Sequence, residues 1–229
     1  MTIKACIFDA YGTLFDVAAA ARIAANEPGF EALRDTWPQI AKDWRDRQLQ
    51  YTWLLAATGG HADFWRVTQD GLDWALEAAG LDGDATLRER LLALYWELPA
   101  YEEVPAMLAA LREAGIRAAI LSNGTGGMLD AAMRSAGVSD LFEAVISVED
   151  VGVFKPDYRV YSLVEKRLSV PAEAALFVSA NGWDAACATG FGLPSVWVNR
   201  AGQPEDRLPW RPAHRLSDLT GLPDLARRG

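Results

Sequence analysis

Hydrophobic and polar positions divide the chain into three stretches of different character. The first is a short apolar run, Ala5 to Phe8, flanked by polar residues and too short for a helix, so it reads as a fully buried strand. It ends in Asp9, and a turn glycine follows at Gly12. The second stretch, residues 17 to 97, has no strand-type alternation. Its Ala-rich run Val17 to Asn26 predicts a helix that Pro28-Gly29 stops. A second helix is expected from Phe30 to Ala57, with Trp37, Ile40, Trp44, Leu49, Trp53 and Leu54 on related faces and Thr58-Gly59-Gly60 as its end. A third covers Ala62 to Ala79, with Gly80 at the C-cap position, and a fourth covers Ala85 to Glu97.

From Pro99 the pattern alternates. A helix is expected over Glu103 to Ala114, where Pro105 is tolerable in the first turn, then a strand over Ile116 to Leu121. A helix over Gly127 to Ala136, a strand over Ala144 to Val148 and a helix over Tyr158 to Leu168 follow. Strands over Ala175 to Ser179 and Ser195 to Asn199 flank a short helix, Trp183 to Thr189, and the Pro- and Arg-rich tail from Gly202 is expected to wrap the surface. Repeated βαβ units imply an α/β fold with a Rossmann-like parallel sheet. The helical insert reads as a cap subdomain, residues 17–97, on a core made of 1–16 and 98–229.

Composition narrows the class. The 229 residues are 51% hydrophobic and 23% charged, as in an ordinary soluble globular protein with a sizeable core. A formal net charge of −9 argues against nucleic acid or an anionic membrane as partner. Cys6 and Cys187 fit no metal-ligand spacing and suit a reduced, cytoplasmic setting; no signal peptide or membrane span is read.

Candidate chemistry collects at strand ends. In open α/β sheets ligands bind beyond the carboxyl ends of the strands. Asp9 there is either a nucleophile or a residue that caps the following turn, and the stretch alone leaves both open. Ser122-Asn123-Gly124 offers a hydroxyl and an amide to an anion, or simply caps a helix. Lys155, fixed by Pro156, would hold a neighbouring carboxylate ionised, or be a solvated surface charge. Ser179 to Asp184 supplies a fourth polar strand end.

These four stretches in this order, around a helical insert, resemble the motifs of the haloacid dehalogenase superfamily. Most relatives read Asp-x-Asp-Gly-Thr and bind magnesium, whereas this chain has Tyr11 at the second Asp and Ala180 where an aspartate ligates metal. Asp9 and Asp184 alone are too few for a magnesium site, so no metal and no cofactor are expected. The pattern Asp9-Ala10-Tyr11-Gly12-Thr13-Leu14-Phe15-Asp16, with Leu121-Ser122-Asn123-Gly124, Lys155-Pro156-Asp157, Asn181-Gly182-Trp183-Asp184 and Trp44-Arg45 in the insert, is similar to the L-2-haloacid dehalogenases.

That resemblance implies attack by Asp9 on the halogen-bearing carbon of a short-chain L-2-haloalkanoic acid. Hydrolysis of the resulting ester would release a D-2-hydroxy acid. It implies halide binding by Arg45 and Asn123, and carboxylate binding by Ser122 and by backbone near Ala10 and Tyr11. Lys155, Tyr161, Ser179, Asn181 and Asp184 would orient Asp9 and the hydrolytic water, with Thr13 bonded to Asp9 and Asp184 as base. Tyr11, Leu49, Phe64 and Trp183 would wall the pocket, although such residues are also ordinary core. Asp46 departs from the uncharged residue of relatives; it perturbs the pocket, points to solvent or pairs with Arg47. Relatives are commonly homodimers, and Trp37, Trp44, Tyr51 and Trp53 in the insert suggest more apolar surface than a small cap hides. The alternative is a metal-dependent phosphatase or phosphonate hydrolase of the same superfamily.

Overall fold

The chain begins with β1 (Ala5–Phe8), which is buried along its whole length, as an unbroken apolar run requires. A computed structural model describes residues 2–228. Four helices follow: α1 (Ala19–Ala24), α2 (Trp37–Thr58), α3 (Phe64–Ala78) and α4 (Ala85–Trp96). The chain then runs through α5 (Val104–Glu113), β2 (Arg117–Ser122), α6 (Gly126–Ser135), β3 (Ala144–Ser147), α7 (Tyr158–Tyr161), α8 (Leu163–Leu168), β4 (Ala175–Ser179), α9 (Gly182–Phe191), β5 (Ser195–Val198), β6 (His214–Leu216) and α10 (Leu222–Arg228). Short side chains start several of these helices. Asp63 and Asp84 accept from the amides of Arg66 and Leu87, and Thr125 accepts from Met128, which satisfies donors the helix cannot.

The strands form one six-stranded sheet in the order β3-β2-β1-β4-β5-β6, and every pairing is parallel. The chain winds outward from β1 to β3, then returns across β1 to β4 and winds outward the other way. The reversal falls at β1, so the crevice for chemistry opens over its carboxyl end. Phe8 lies level with Ile120 and Val178, which sets Asp9 just beyond the edge, its amide donating to Val178 O at 2.9 Å.

The helical insert leaves and rejoins the sheet through two adjacent strands of chain. Asp16 N donates to Pro99 O at 3.0 Å and Tyr101 N donates to Leu14 O at 2.9 Å. Within the insert, Ile40, Trp44, Gln48 and Thr52 recur every fourth residue of α2 and are buried, the inward stripe of an amphipathic helix. α3 packs close to α2 at Gly71, where a Cβ would meet Gln48 N and Trp44 O at 3.2 Å each.

Three expectations need correction. The second helix starts at Trp37, not Phe30, and Glu31–Leu33 is only a single 3₁₀ turn. Pro38 sits in the first turn, where its missing N–H costs nothing; an earlier start would drive its ring into the Arg34 carbonyl. The helix expected over Tyr158 to Leu168 is two short ones meeting at Ser162, whose hydroxyl donates back to Arg159 O at 2.7 Å. The tail does more than wrap the surface, since it adds β6 and α10. The edge strand β6 is three residues with two exposed, so no apolar run marks it.

Candidate active site

Asp9 is 6% exposed, and its two oxygens have different partners. Oδ2 accepts from Thr13 Oγ1 and from Asn181 Nδ2, both at 3.0 Å. Oδ1 accepts from Lys155 Nζ at 3.2 Å. Thr13 is held in turn, because Ala180 N donates to its hydroxyl oxygen at 2.8 Å and leaves the hydroxyl proton for Asp9.

Lys155 is 1% exposed and shared by two carboxylates, with Asp184 Oδ2 at 3.0 Å from Nζ. Burial alone would lower its pKa, but Asp184 and then Asp9 outweigh that and hold the ammonium above the ordinary lysine value of 10.5. Asp184 is fully buried; it accepts from Ser179 Oγ at 3.0 Å and from Tyr161 OH at 2.7 Å. Burial pushes its carboxyl above the usual carboxylate range, against the attraction of Lys155. The Tyr161 hydroxyl is pushed well up by burial and by Asp184, so it stays a proton donor. Lys155 reaches this place because its own backbone is tied to the neighbouring strand end: Lys155 N donates to Asn123 Oδ1 at 3.0 Å.

α2 brings one more charged group across from the insert. Arg45 Nη2 donates to Tyr11 O at 2.8 Å and lies 3.5 Å from Asn181 Oδ1, while Nη1 donates to Gln48 Oε1 at 2.7 Å. No carboxylate pairs with Arg45 among the described residues, so its charge is free for an anion. Asn123 Nδ2 and the amide N–H groups of Ala10 and Tyr11 likewise find no acceptor among the described residues. The Ser122 oxygen accepts from Gly124 N at 3.0 Å, leaving its proton uncommitted. A cleft of about 450 Å³ opens beside Arg45, Leu49, Asn181, Trp183 and Arg200. A buried carboxylate with neutral and cationic donors close by, next to such a cleft, suits a nucleophile acting on an anionic substrate.

A model of the haloacid dehalogenase-like hydrolases matches residues 3–192. The chain belongs to the haloacid dehalogenase-like hydrolases. Among this family's members it is 41% identical over 226 residues to (S)-2-haloacid dehalogenase 1 of Pseudomonas sp. (strain CBS-3), covering 99% of this chain and 97% of that one. It is 42% identical over 201 residues to the (S)-2-haloacid dehalogenase of Xanthobacter autotrophicus, covering 88% and 77% of the two chains. The crystal structure of L-2-haloacid dehalogenase from Xanthobacter autotrophicus with chloropropionic acid covalently bound superposes with a TM-score of 0.88, at 36% identity and 99% coverage of both chains.

The residues present do not fit a magnesium ion. Tyr11 offers an aromatic ring, Ala180 a methyl group, and the Lys155 ammonium occupies the gap between Asp9 and Asp184. Among the described residues no three His, Cys, Asp or Glu side chains gather as a metal site.

The residues expected from sequence lie mostly together. Asp9, Thr13, Lys155, Tyr161, Ser179, Asn181 and Asp184 form one hydrogen-bonded set, joined by Arg45 through Asn181 and by Asn123 through Lys155. Leu49 and Trp183 line the cleft. Phe64 lies deeper, with its ring centroid 5.5 Å from that of Tyr11, and the Tyr11 ring packs on Gly124, where a Cβ would come within 2.7 Å. Asp46 pairs with Lys42 at 2.6 Å and not with Arg47, and its side chain is 58% exposed, away from the site. Gln48, although part of the motif after Arg45, was given no role from the sequence, and Arg200 was not singled out. Arg200 donates to Thr13 O at 3.0 Å and stands just past the end of β5, a position the strand-end rule would have flagged.

Proposed function

We propose that the chain hydrolyses short-chain L-2-haloalkanoic acids to D-2-hydroxy acids, with inversion, through an ester on Asp9 and without a metal. One observation carries this reading: the two oxygens of a buried carboxylate are held unequally. Two donors occupy the lone pairs of Oδ2, whereas among the described residues Oδ1 accepts only from Lys155. Oδ1 is therefore the oxygen with an electron pair left for attack.

In the first half-reaction Oδ1 bonds to the halogen-bearing carbon from behind, and the halide departs with the electrons of the broken bond. Arg45 and Asn123 Nδ2 receive it; losing one such donor typically costs about 3–4 kcal/mol of barrier. Ser122 and the Ala10 and Tyr11 amides hold the substrate carboxylate, while Tyr11, Leu49, Phe64 and Trp183 exclude water around the alkyl group. Alignment of carbon with Oδ1 supplies up to about 7–11 kcal/mol.

In the second half-reaction Oδ2 is the ester carbonyl, and Thr13 and Asn181 already donate to it. They become the oxyanion hole when water adds to Asp9 Cγ. Asp184, whose proton affinity burial raises, takes the proton of that water. Collapse breaks the Cγ–Oδ1 bond; Oδ1 leaves as the product hydroxyl, protonated by Lys155, which regains a proton from Asp184. The regenerated Asp9 carboxyl then releases one proton to solvent.

The same reading makes residues 17–97 a cap and 1–16 with 98–229 the core, supported by the paired crossings at Asp16 and Tyr101. It also makes the protein a cytoplasmic homodimer. Both cysteines are free and buried, and Trp53 and Leu54 of α2 are 39% and 53% exposed. Among the described residues no helix is long and apolar enough to cross a membrane.

Halide release from L-2-chloropropionate tests the reading, with the D-enantiomer inert and the rate unchanged by a chelator. Phosphate release from phosphomonoesters that a chelator abolishes, with no halide from any organohalide, would overturn it in favour of the metal-dependent alternative.

A further inference from the structure

The Arg45 guanidinium is not aimed by α2 alone; a hydrogen-bond circuit inside the insert holds it from behind. Gln48 Oε1 accepts from Arg45 Nη1 at 2.7 Å, one turn along the helix. Gln48 Nε2 donates to Thr68 Oγ1 on α3 at 2.8 Å and to Tyr95 OH on α4 at 2.9 Å. Thr68 has already committed its only hydroxyl proton to Phe64 O at 2.6 Å, so toward Gln48 its oxygen can only accept. The amide must therefore turn its NH₂ to Thr68 and its carbonyl to Arg45. Reversed, the amide would set its NH₂ against a guanidinium that has only donors.

Gln48, Thr68 and Tyr95 are 1%, 0% and 3% exposed, so the circuit is dry. A buried amide among apolar residues is costly unless all its groups are bonded, and when they are, it fixes one arrangement. Three helices converge on this point. Trp44 Nε1 donates to Thr68 O at 2.7 Å and pins the same turn of α3 to α2. The ring of Tyr95 stacks on that of Tyr11 with centroids 5.6 Å apart, which ties the circuit to the loop after Asp9.

We propose that Gln48, its amide oriented by Thr68 and Tyr95, is a positioning residue that aims Arg45 at the departing halide. The proposal rests on the dehalogenase reading above. A poorly aimed donor matters most where the leaving group is poorest, so chloride should suffer more than bromide.

The test uses the full chain and the variants Gln48→Leu and Thr68→Val, with Thr52→Val as comparator. Thr52 is buried on the same helix face, but among the described residues its hydroxyl bonds only Leu49 O of its own helix, at 2.7 Å. Steady-state kinetics on L-2-chloropropionate and L-2-bromopropionate are measured, together with binding of inorganic bromide followed by quenching of tryptophan fluorescence. Gln48→Leu should lower kcat about ten- to a hundredfold, the range expected when a hydrogen bond to a charged group is lost, with KM changing less. The chloro-to-bromo ratio of kcat should fall severalfold and bromide should bind more weakly. Thr68→Val, which leaves Gln48 in place but free to turn, should give the same pattern at smaller size, and Thr52→Val should leave the ratio unmoved.

A Gln48→Leu protein with the wild-type halogen ratio and wild-type bromide affinity overturns the proposal. So does a loss shared equally by both halogens and matched by Thr52→Val, which would make the circuit merely structural. Should Gln48→Leu not fold, Thr68→Val decides by the same readouts. If the wild type released no halide at all, the dehalogenase reading would fall. Bromide affinity would still test the circuit, since aim lost in the variants weakens bromide binding whatever the substrate.

Discussion

Replacing Lys155 by methionine keeps the length of the side chain and removes the ammonium that Asp9 and Asp184 share. The two carboxylate oxygens lie 3.2 and 3.0 Å from one nitrogen, so they stand at most about 6 Å apart. At an effective dielectric constant of about 20, two unit charges at that distance repel by about 3 kcal/mol. Breaking a buried ion pair from one side costs about 3–5 kcal/mol, a large share of the about 5–15 kcal/mol that holds a typical domain folded. The sign of the pH effect follows. Without lysine, the folded pair binds a proton more tightly than the same groups in the unfolded chain. Its contribution is fully present below the unfolded carboxylate pKa and is lost as pH rises through the elevated folded value. Urea unfolding of both proteins at pH 5 and pH 8 reads this directly. The deficit of Lys155→Met should be about 3 kcal/mol or more at pH 8 and clearly smaller at pH 5, where part of the pair is already protonated, and halide release should fall about 10²–10⁴-fold. A deficit that is the same at both pH values, or a variant as stable as wild type at pH 8, would refute the shared-cation argument.

Asp9→Asn should fold normally and release no halide; turnover above a few per cent of wild type, measured before any deamidation, would contradict the nucleophile assignment. Asp46→Gln should leave kcat/KM for L-2-chloropropionate within about twofold, because the Asp46 side chain is exposed, paired with Lys42 and turned away from the site. A tenfold gain in affinity for the anionic substrate would mean that Asp46 does face the pocket. The alkaline side of the pH–rate profile should be extended. Lys155 titrates above 10.5, so its stabilising charge is intact below the unfolded lysine pKa and fades only as pH passes the higher folded value. A fall in kcat/KM centred below about pH 9 would place the essential proton on another group.

How much of this was legible beforehand depends on how local each signal is. β1 and Asp9 were plain, because a strand buried on both faces has a continuous apolar run and the next residue marks its tip. The hydrogen-bonded set of Asp9, Lys155 and Asp184 is spread over some 175 positions of sequence, and only the order of four strand-end motifs suggested that it converges. Asp46 stayed ambiguous in sequence because a helical residue next to Arg45 can turn inward or outward; the Lys42 contact one turn back settles it. Gln48 was given no role of its own although it sits on the buried face of α2, four residues from Trp44. A polar residue there reads as solvated until the partners on α3 and α4 are known. β6 escaped because an edge strand of three residues leans on hydrogen bonds from β5 rather than on a hydrophobic pattern of its own.

The unequal grip on the Asp9 oxygens gives the side chain an isotopic history. Each cycle surrenders the atom facing Lys155 to the hydroxy acid and installs one drawn from solvent, while the atom clasped by Thr13 and Asn181 stays behind. After many cycles in ¹⁸O-water, a peptide spanning Asp9 carries one heavy atom if that clasp never opens. It carries two if the carboxylate spins about Cβ–Cγ between cycles, so the mass of a single peptide counts how often the enzyme lets go of its own nucleophile.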